Sequence, residues 1–307
     1  MKNIILLGCQ KITIDILNFL KKKKNINISL VITYDLTQDY ALSGINIKDF
    51  CIENNIKTIV SKSINKDLED LIRSNKPDLI ISSYFRGIIK KRVWASSKVA
   101  TINIHPSILP FYRGPTPTAW GLLKLEKVFG VTIHKINDTI DGGDIYAQKK
   151  YLIKKNETGY ELYNRAMRYG YLLFKENFDK ILNDKIKAKK QKQGGSYYGK
   201  MNDFDFIDWK KTSAEIEALV RIRAKPYNVA QARVYNKNVF INKVKILKNK
   251  YLIQKPGKIM KVNKNGTFIV STANGYILVQ DFFIYPEINK ESIKKVFIKK
   301  GAIFNNY

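Results

Sequence analysis

The first 33 residues constrain the fold more than any other stretch of the chain. Residues 3–7 form an apolar run that Gly8 closes. Ile12, Ile16, Leu17 and Leu20 then recur at the spacing of one helix face, and residues 28–33 form a second apolar run. Two such strands joined by a helix need a crossover, which makes them parallel neighbours with right-handed connections. The alternation continues with a helix over 47–54, a short strand over 58–60, a helix over 66–74 and, after Pro77, a strand over 78–82. This is the pattern of an α/β fold on a parallel sheet. Gly8 has no following glycine pair, so the dinucleotide fingerprint is missing and NAD binding is rejected.

A chain of 307 residues suggests two domains. Residues 1–184 read as the first. Residues 185–204, which begin with a Lys-, Gln- and Gly-rich run, read as a linker, and 205–307 as the second domain. The second opens with an amphipathic helix within 209–224, capped by Thr212 or Ser213 and stopped by Pro226. Short β-type runs follow over 239–247, 258–262, 267–271 and 276–283, separated by Asn-Gly and Pro-Gly turns, as in a small open barrel. No apolar run approaches the ~20 residues of a membrane span, and the N-terminal run is too short for a signal peptide. Cys9 and Cys51 lie far apart without metal-ligand spacing, which fits a reduced, cytoplasmic protein.

The chemistry concentrates between residues 101 and 143. Asn103 and His105 lie two apart on an apolar run, so in a strand they share a face. A Pro-rich loop follows, then a helix over 118–125 and strands over 129–136 and 145–153. Asp141 opens a Gly142-Gly143 turn between those strands. A long helix starts after Thr158, with Leu162, Ala166, Tyr169, Leu173 and Phe174 on its apolar stripe. An amide, an imidazole and a carboxylate on converging strand ends are the parts an acyl transfer needs. His134, the other histidine, reads as a packing or hydrogen-bonding residue inside a strand. No cluster of His, Cys, Asp or Glu has metal-ligand spacing, so no metal is expected.

Asn103-Ile104-His105-Pro106-Ser107-Ile108-Leu109-Pro110, with Tyr112-Arg113-Gly114 and Asp141-Gly142-Gly143, resembles the formyltransferases that use 10-formyltetrahydrofolate. The resemblance implies a Rossmann-like parallel sheet followed by a smaller, mostly-β, OB-like C-terminal domain. It also implies that an amine attacks the formyl carbon of the folate. Asn103 would stabilise the oxyanion, His105 would take the amine proton, and Asp141 would orient His105. By the same resemblance the folate would meet Gly87, Ile88 and Ile89 on one side and Asn137, Asp138, Thr139, Ile140 and Asp141 on the other. Arg86, Lys90 and Arg113 stand near these loops as candidates for substrate phosphates.

The family includes enzymes that act on nucleotide-linked amino sugars for surface glycans such as lipopolysaccharide, and others that act on methionyl-tRNA. The formal charge of +29 favours polyanions in general. The loop over 34–46, however, carries Asp35 and Asp39 and no Lys or Arg, whereas a loop gripping RNA would be basic. A nucleotide-linked amino sugar is therefore the preferred acceptor. Methionyl-tRNA is the alternative, and hydrolysis of the formylfolate a second one. Pairing into a homodimer is left open.

Overall fold

The computed structural model describes residues 1–34, 46–201, 206–235, 237–248, 254–285 and 299–305. The acidic loop over 34–46 therefore lies, from residue 35 to 45, outside the described residues. The chain divides into two compact units.

The first unit is built on seven strands: β1 (Lys2–Gly8), β2 (Ile26–Thr33), β3 (Thr58–Val60), β4 (Leu79–Ser83), β5 (Ala100–His105), β6 (Val128–Lys135) and β7 (Ile145–Leu152). They lie in the order β3-β2-β1-β4-β5-β6-β7. The first five pair parallel and the last two antiparallel, so the expected sheet carries an antiparallel edge. Connectivity accounts for β6 and β7, which the short connection between them pairs antiparallel; that β6 also runs against β5 is a choice of the tertiary fold. The crossovers use α1 (Lys11–Lys21), α2 (Ile47–Glu53), α3 (Lys66–Ser74) and α4 (Lys91–Trp94). Ile5, Leu7, Leu30, Ile32 and Ile80 pack on one face of the sheet against Leu68 and Ile72 of α3. Helix α5 (Pro117–Leu123), which from Ala119 clusters with the second unit, precedes β6, and α6 (Gly159–Leu182), which belongs to the first unit from Tyr163, follows β7. A Cβ on Gly170 of α6 would come within 2.9 Å of the Ile104 side chain. The helix thus presses on the face of β5 opposite Asn103 and His105, leaving theirs for the site.

Residues 185–199, expected as linker, cluster with this first unit. Lys189 forms an antiparallel bridge with Ile145, and Tyr197 a parallel bridge with Arg113. Their backbone groups find partners in the sheet margin, which polar composition alone does not reveal.

The second unit contains α7 (Ser213–Arg223) and the strands β8 (Ala230–Val234), β9 (Lys237–Leu247), β10 (Ile259–Val262), β11 (Phe268–Ser271), β12 (Tyr276–Tyr285) and β13 (Phe304–Asn305). Thr212 and Glu215 form a reciprocal capping box at the start of α7. The strand order is β10-β11-β12-β9-β8-β13. A bridge between Lys258 and Ile303 brings the two edges together, which curls the sheet into the expected OB-like half-barrel. Trp209, Phe268 and Phe304 fill its core. Strands β8 and β13 escape sequence reading: β8 is short and Ala-containing, and β13 has two residues.

Candidate active site

Asn103 and His105 point to one face of β5, as their spacing requires. The antiparallel register sets His134 of β6 opposite Asn103, and Thr132 opposite His105. All four side chains therefore lie on one face. Because β6 runs against β5, the turn containing Asp141 leaves from the other end of the pair and folds back over that face. Convergence at a common strand end, the sequence expectation, is replaced by convergence on a sheet face. Asp141 adopts a left-handed backbone (φ 50°) there, as does Tyr112 (φ 60°) in the Pro-rich loop. Non-glycine residues in that region mark places where the surroundings impose the conformation.

Asp141 Oδ1 lies 3.6 Å from His105 Nδ1 and 3.5 Å from His134 Nε2. It also accepts from Asn103 Nδ2 at 3.3 Å. Oδ2 accepts from the Gly114 backbone N–H at 2.8 Å. Gly114 can approach because φ is +93° and a Cβ would strike the Tyr198 carbonyl at 2.4 Å.

The two imidazoles are oriented by backbone carbonyls. His105 Nε2 lies 2.9 Å from the Tyr112 carbonyl, so Nε2–H donates and the neutral ring keeps its lone pair on Nδ1, facing Asp141. His134 Nδ1–H donates to the Lys135 carbonyl at 2.7 Å, which leaves Nε2 to accept from Asn103 Nδ2 at 3.2 Å. Thr132 and Gln148 hold the start of the Pro-rich loop. Leu109 N–H donates to Thr132 Oγ1, which donates to the Ser107 carbonyl, and Gln148 Nε2 donates to the Leu109 carbonyl.

Burial pushes the His105 pKa below 6.5, against the opposing pull of Asp141. Burial also resists ionisation of Asp141, but the attraction of His105 and His134 in their protonated forms and the bond from the Gly114 N–H outweigh it and hold its carboxyl well below the usual carboxylate range. The resting site therefore pairs a neutral imidazole with a carboxylate. Nδ1 of His105 can take a proton, and the resulting imidazolium would sit between the Tyr112 carbonyl and Asp141. Both amide hydrogens of Asn103 point at Asp141 and His134 over long bonds, which a developing oxyanion could displace.

The remaining expected residues spread outward. Gly87, Ile88 and Ile89 follow β4, whose last residue, Ser83, pairs with Ile104. Asn137, Asp138, Thr139 and Ile140 lead into Asp141, and Asn137 Oδ1 accepts from Thr139 N–H. Ile88 and Ile140 are 73% and 52% exposed, so each loop leaves an apolar side chain at the surface. Arg86 stacks over the Tyr34 ring, and Lys90 faces Glu69 at 3.7 Å. Both Nε and Nη2 of Arg113 donate to Gln191 Oε1. Among the described residues, no three His, Cys, Asp or Glu side chains form a group that could hold a metal ion.

Sequence reading missed His134 as a site residue, the Gly114 N–H and Gln191. Only His134 left a signal, as a histidine inside an apolar strand run.

Residues 2–176 match the family model described as formyl transferase, and residues 201–285 match the formyl transferase C-terminal domain. Methionyl-tRNA formyltransferase of Clostridium tetani is 29% identical over 84% of either chain. The bifunctional polymyxin resistance protein ArnA of Wigglesworthia glossinidia brevipalpis is 31% identical over 71% of this chain, which spans only 34% of that protein. Among solved structures, an N-formyltransferase from Helicobacter canadensis with folinic acid and dTDP-3-aminofucose superposes with a TM-score of 0.71. It is 26% identical and covers 91% of this chain and 99% of its own. The sugar 3N-formyltransferase WlaRD, solved with dTDP and 5-N-formyl-THF, gives a TM-score of 0.69 at 27% identity, over 94% and 99%.

Proposed function

This chain belongs to the formyl transferase family, and from that premise we propose that it moves the formyl group of 10-formyltetrahydrofolate to the primary amine of a nucleotide-linked amino sugar. The observation that carries the acceptor is the likeness to two sugar N-formyltransferases over more than nine-tenths of both chains. The amide–imidazole–carboxylate cluster, with its imidazole buried, supports the chemistry. The amine nitrogen attacks the formyl carbon, forming a C–N bond while the carbonyl electrons move to oxygen. Asn103 exchanges one of its long bonds for that oxyanion, and His105 Nδ1 takes the amine proton. Collapse of the intermediate breaks the bond to the folate N10, and the proton returns to that nitrogen. Asp141 remains ionised and stabilises the imidazolium between the two steps. Ile88 and Ile140 would flank the pterin, and backbone groups of 87–89 and 137–141 would bond to its edge. The family chemistry and the reduced cysteines suit a cytoplasmic enzyme of surface-glycan synthesis.

Methionyl-tRNA is the second reading, favoured by the match to the Clostridium tetani enzyme and by the charge of +29. Against it stand the carboxylates Asp35 and Asp39 in a stretch without any cation. The test is a two-substrate assay with 10-formyltetrahydrofolate and either a panel of diphosphonucleoside amino sugars or initiator methionyl-tRNA. Turnover on a sugar nucleotide with poor tRNA formylation is expected. Efficient tRNA formylation with every sugar nucleotide inert would overturn the proposal.

A further inference from the structure

Gln191 lies in the Lys-, Gln- and Gly-rich stretch that reads as a linker, yet its half-buried side chain makes four polar contacts inside the first unit. Nε2 donates to the Asp141 carbonyl at 2.7 Å and to the Gly143 carbonyl at 2.8 Å. Oε1 accepts from Arg113 Nη2 at 2.7 Å and from Nε at 3.3 Å. This orientation of the amide is forced. Two carbonyls can only accept and a guanidinium can only donate, so the reversed amide would face like against like. Five residues on, Ser196 continues the fastening. Its Oγ accepts from Tyr112 N–H at 2.9 Å, and its carbonyl accepts from Arg113 N–H at 2.9 Å.

The two structures joined by Gln191 each hold one catalytic group. The Asp141–Gly143 turn carries the carboxylate itself. The Pro-rich loop supplies the Tyr112 carbonyl that fixes His105 and the Gly114 N–H that fixes Asp141. Arg113 sits between those two backbone groups. Gln191 thus adds a second bridge between turn and loop beside the Gly114–Asp141 bond, and one that does not involve the catalytic side chains themselves.

We propose that Gln191 is a positioning residue for formyl transfer, clamping the Asp141 turn to the Arg113 loop so that the carboxylate stays against His105 and Asn103. The inference rests on the proposed roles of Asp141 and His105 and is independent of which acceptor is used. It also accounts for the paired contacts of Arg113 without assigning that guanidinium to substrate.

The experiment compares Gln191→Ala and Gln191→Glu in the full-length protein. The Glu variant keeps an acceptor for Arg113 but loses both donors to the turn. Activity is measured with 10-formyltetrahydrofolate and whichever acceptor class the wild-type protein formylates. His105 is followed by NMR titration without any acceptor; the chain has 2 histidines, so assignment is simple. Both variants should lose kcat by about 10- to 100-fold, with the folate KM changed by less than about threefold. Burial lowers and the Asp141 carboxylate raises the His105 midpoint, and His134 and Asp141 are the ionisable groups facing it, so displacing the turn should shift that midpoint away from the wild-type value. A Glu variant with wild-type kcat would overturn the proposal, because the Arg113 contact alone would then suffice. So would a lost kcat with an unchanged His105 titration. Failure of the acceptor assignment would leave the NMR result intact, which separates the two readings.

Discussion

Asn103 and His134 face each other directly across the β5–β6 ladder, and Asn103 Nδ2 donates to His134 Nε2 at 3.2 Å. The Lys135 carbonyl binds the other ring nitrogen, so Nε2 is the acceptor and the Asn103 amide has one permitted orientation. His134→Phe keeps a ring in the strand but removes that acceptor. We expect kcat to fall by about tenfold and the folate KM to change by less than about threefold. Steady-state kinetics decide the matter; an unaltered kcat would reduce His134 to packing.

Asn103→Ala removes the proposed oxyanion donor and His105→Ala the proposed base. Each should lower kcat by ~10²-fold or more, in line with comparable groups elsewhere. Folate affinity, measured by calorimetry, should change far less. Turnover near wild type in either variant would dismiss the mechanism.

The same site fixes the response to pH. The His105 pKa is lowered in the folded protein, so the base stays neutral and active somewhat below pH 6.5. The acid limb of kcat/KM should therefore lie below 6.5 and disappear in His105→Ala. For stability the signs agree. Unfolded His105 binds a proton near 6.5 while folded His105 resists it, so this contribution is lost as pH falls from 6.5 toward the depressed folded value. Asp141, also depressed, adds stability that is full above its ordinary value of 3.8 and is lost as pH falls through its folded value. Thermal melts should thus weaken from about pH 6.5 downward in the wild type, and less so in His105→Ala.

The parallel half of the sheet was legible because its central strands β1 and β4 are largely buried and the helices carry a clear apolar stripe, as in α1 with Ile12, Ile16, Leu17 and Leu20. The candidate site was legible only in part. Asn103 and His105 share a face by strand geometry, which any sequence reading can use. Asp141 reaches them by a turn whose direction depends on β6 being antiparallel, a tertiary choice that apolar runs do not encode. The misread linker has a similar cause. Gln191 and Ser196 are satisfied by distant loops, Gln191 by two backbone carbonyls and the Arg113 guanidinium, and a polar residue with a tertiary partner looks the same in sequence as one in water.

Gly143 offers the sharpest steric test of this arrangement. Its obstacle is a neighbour rather than its own backbone: a Cβ would lie 1.9 Å from the Lys135 carbonyl oxygen. That oxygen is the one His134 Nδ1 donates to, and the Gly143 carbonyl in turn accepts from Gln191. Gly143→Ala must therefore push the turn off the end of β6, disturbing His134 and Asp141 together. Overpacking of this kind costs about 1–3 kcal/mol of stability. Since Asp141 would be misplaced, kcat should fall by ~10²-fold. Gly199→Ala is the control, because a Cβ there meets nothing within 4 Å. It should leave both the melting temperature and kcat unchanged. Thermal melts and kinetics on the two variants check the contrast, and a Gly143→Ala enzyme with normal kcat would show that the site tolerates a shifted turn.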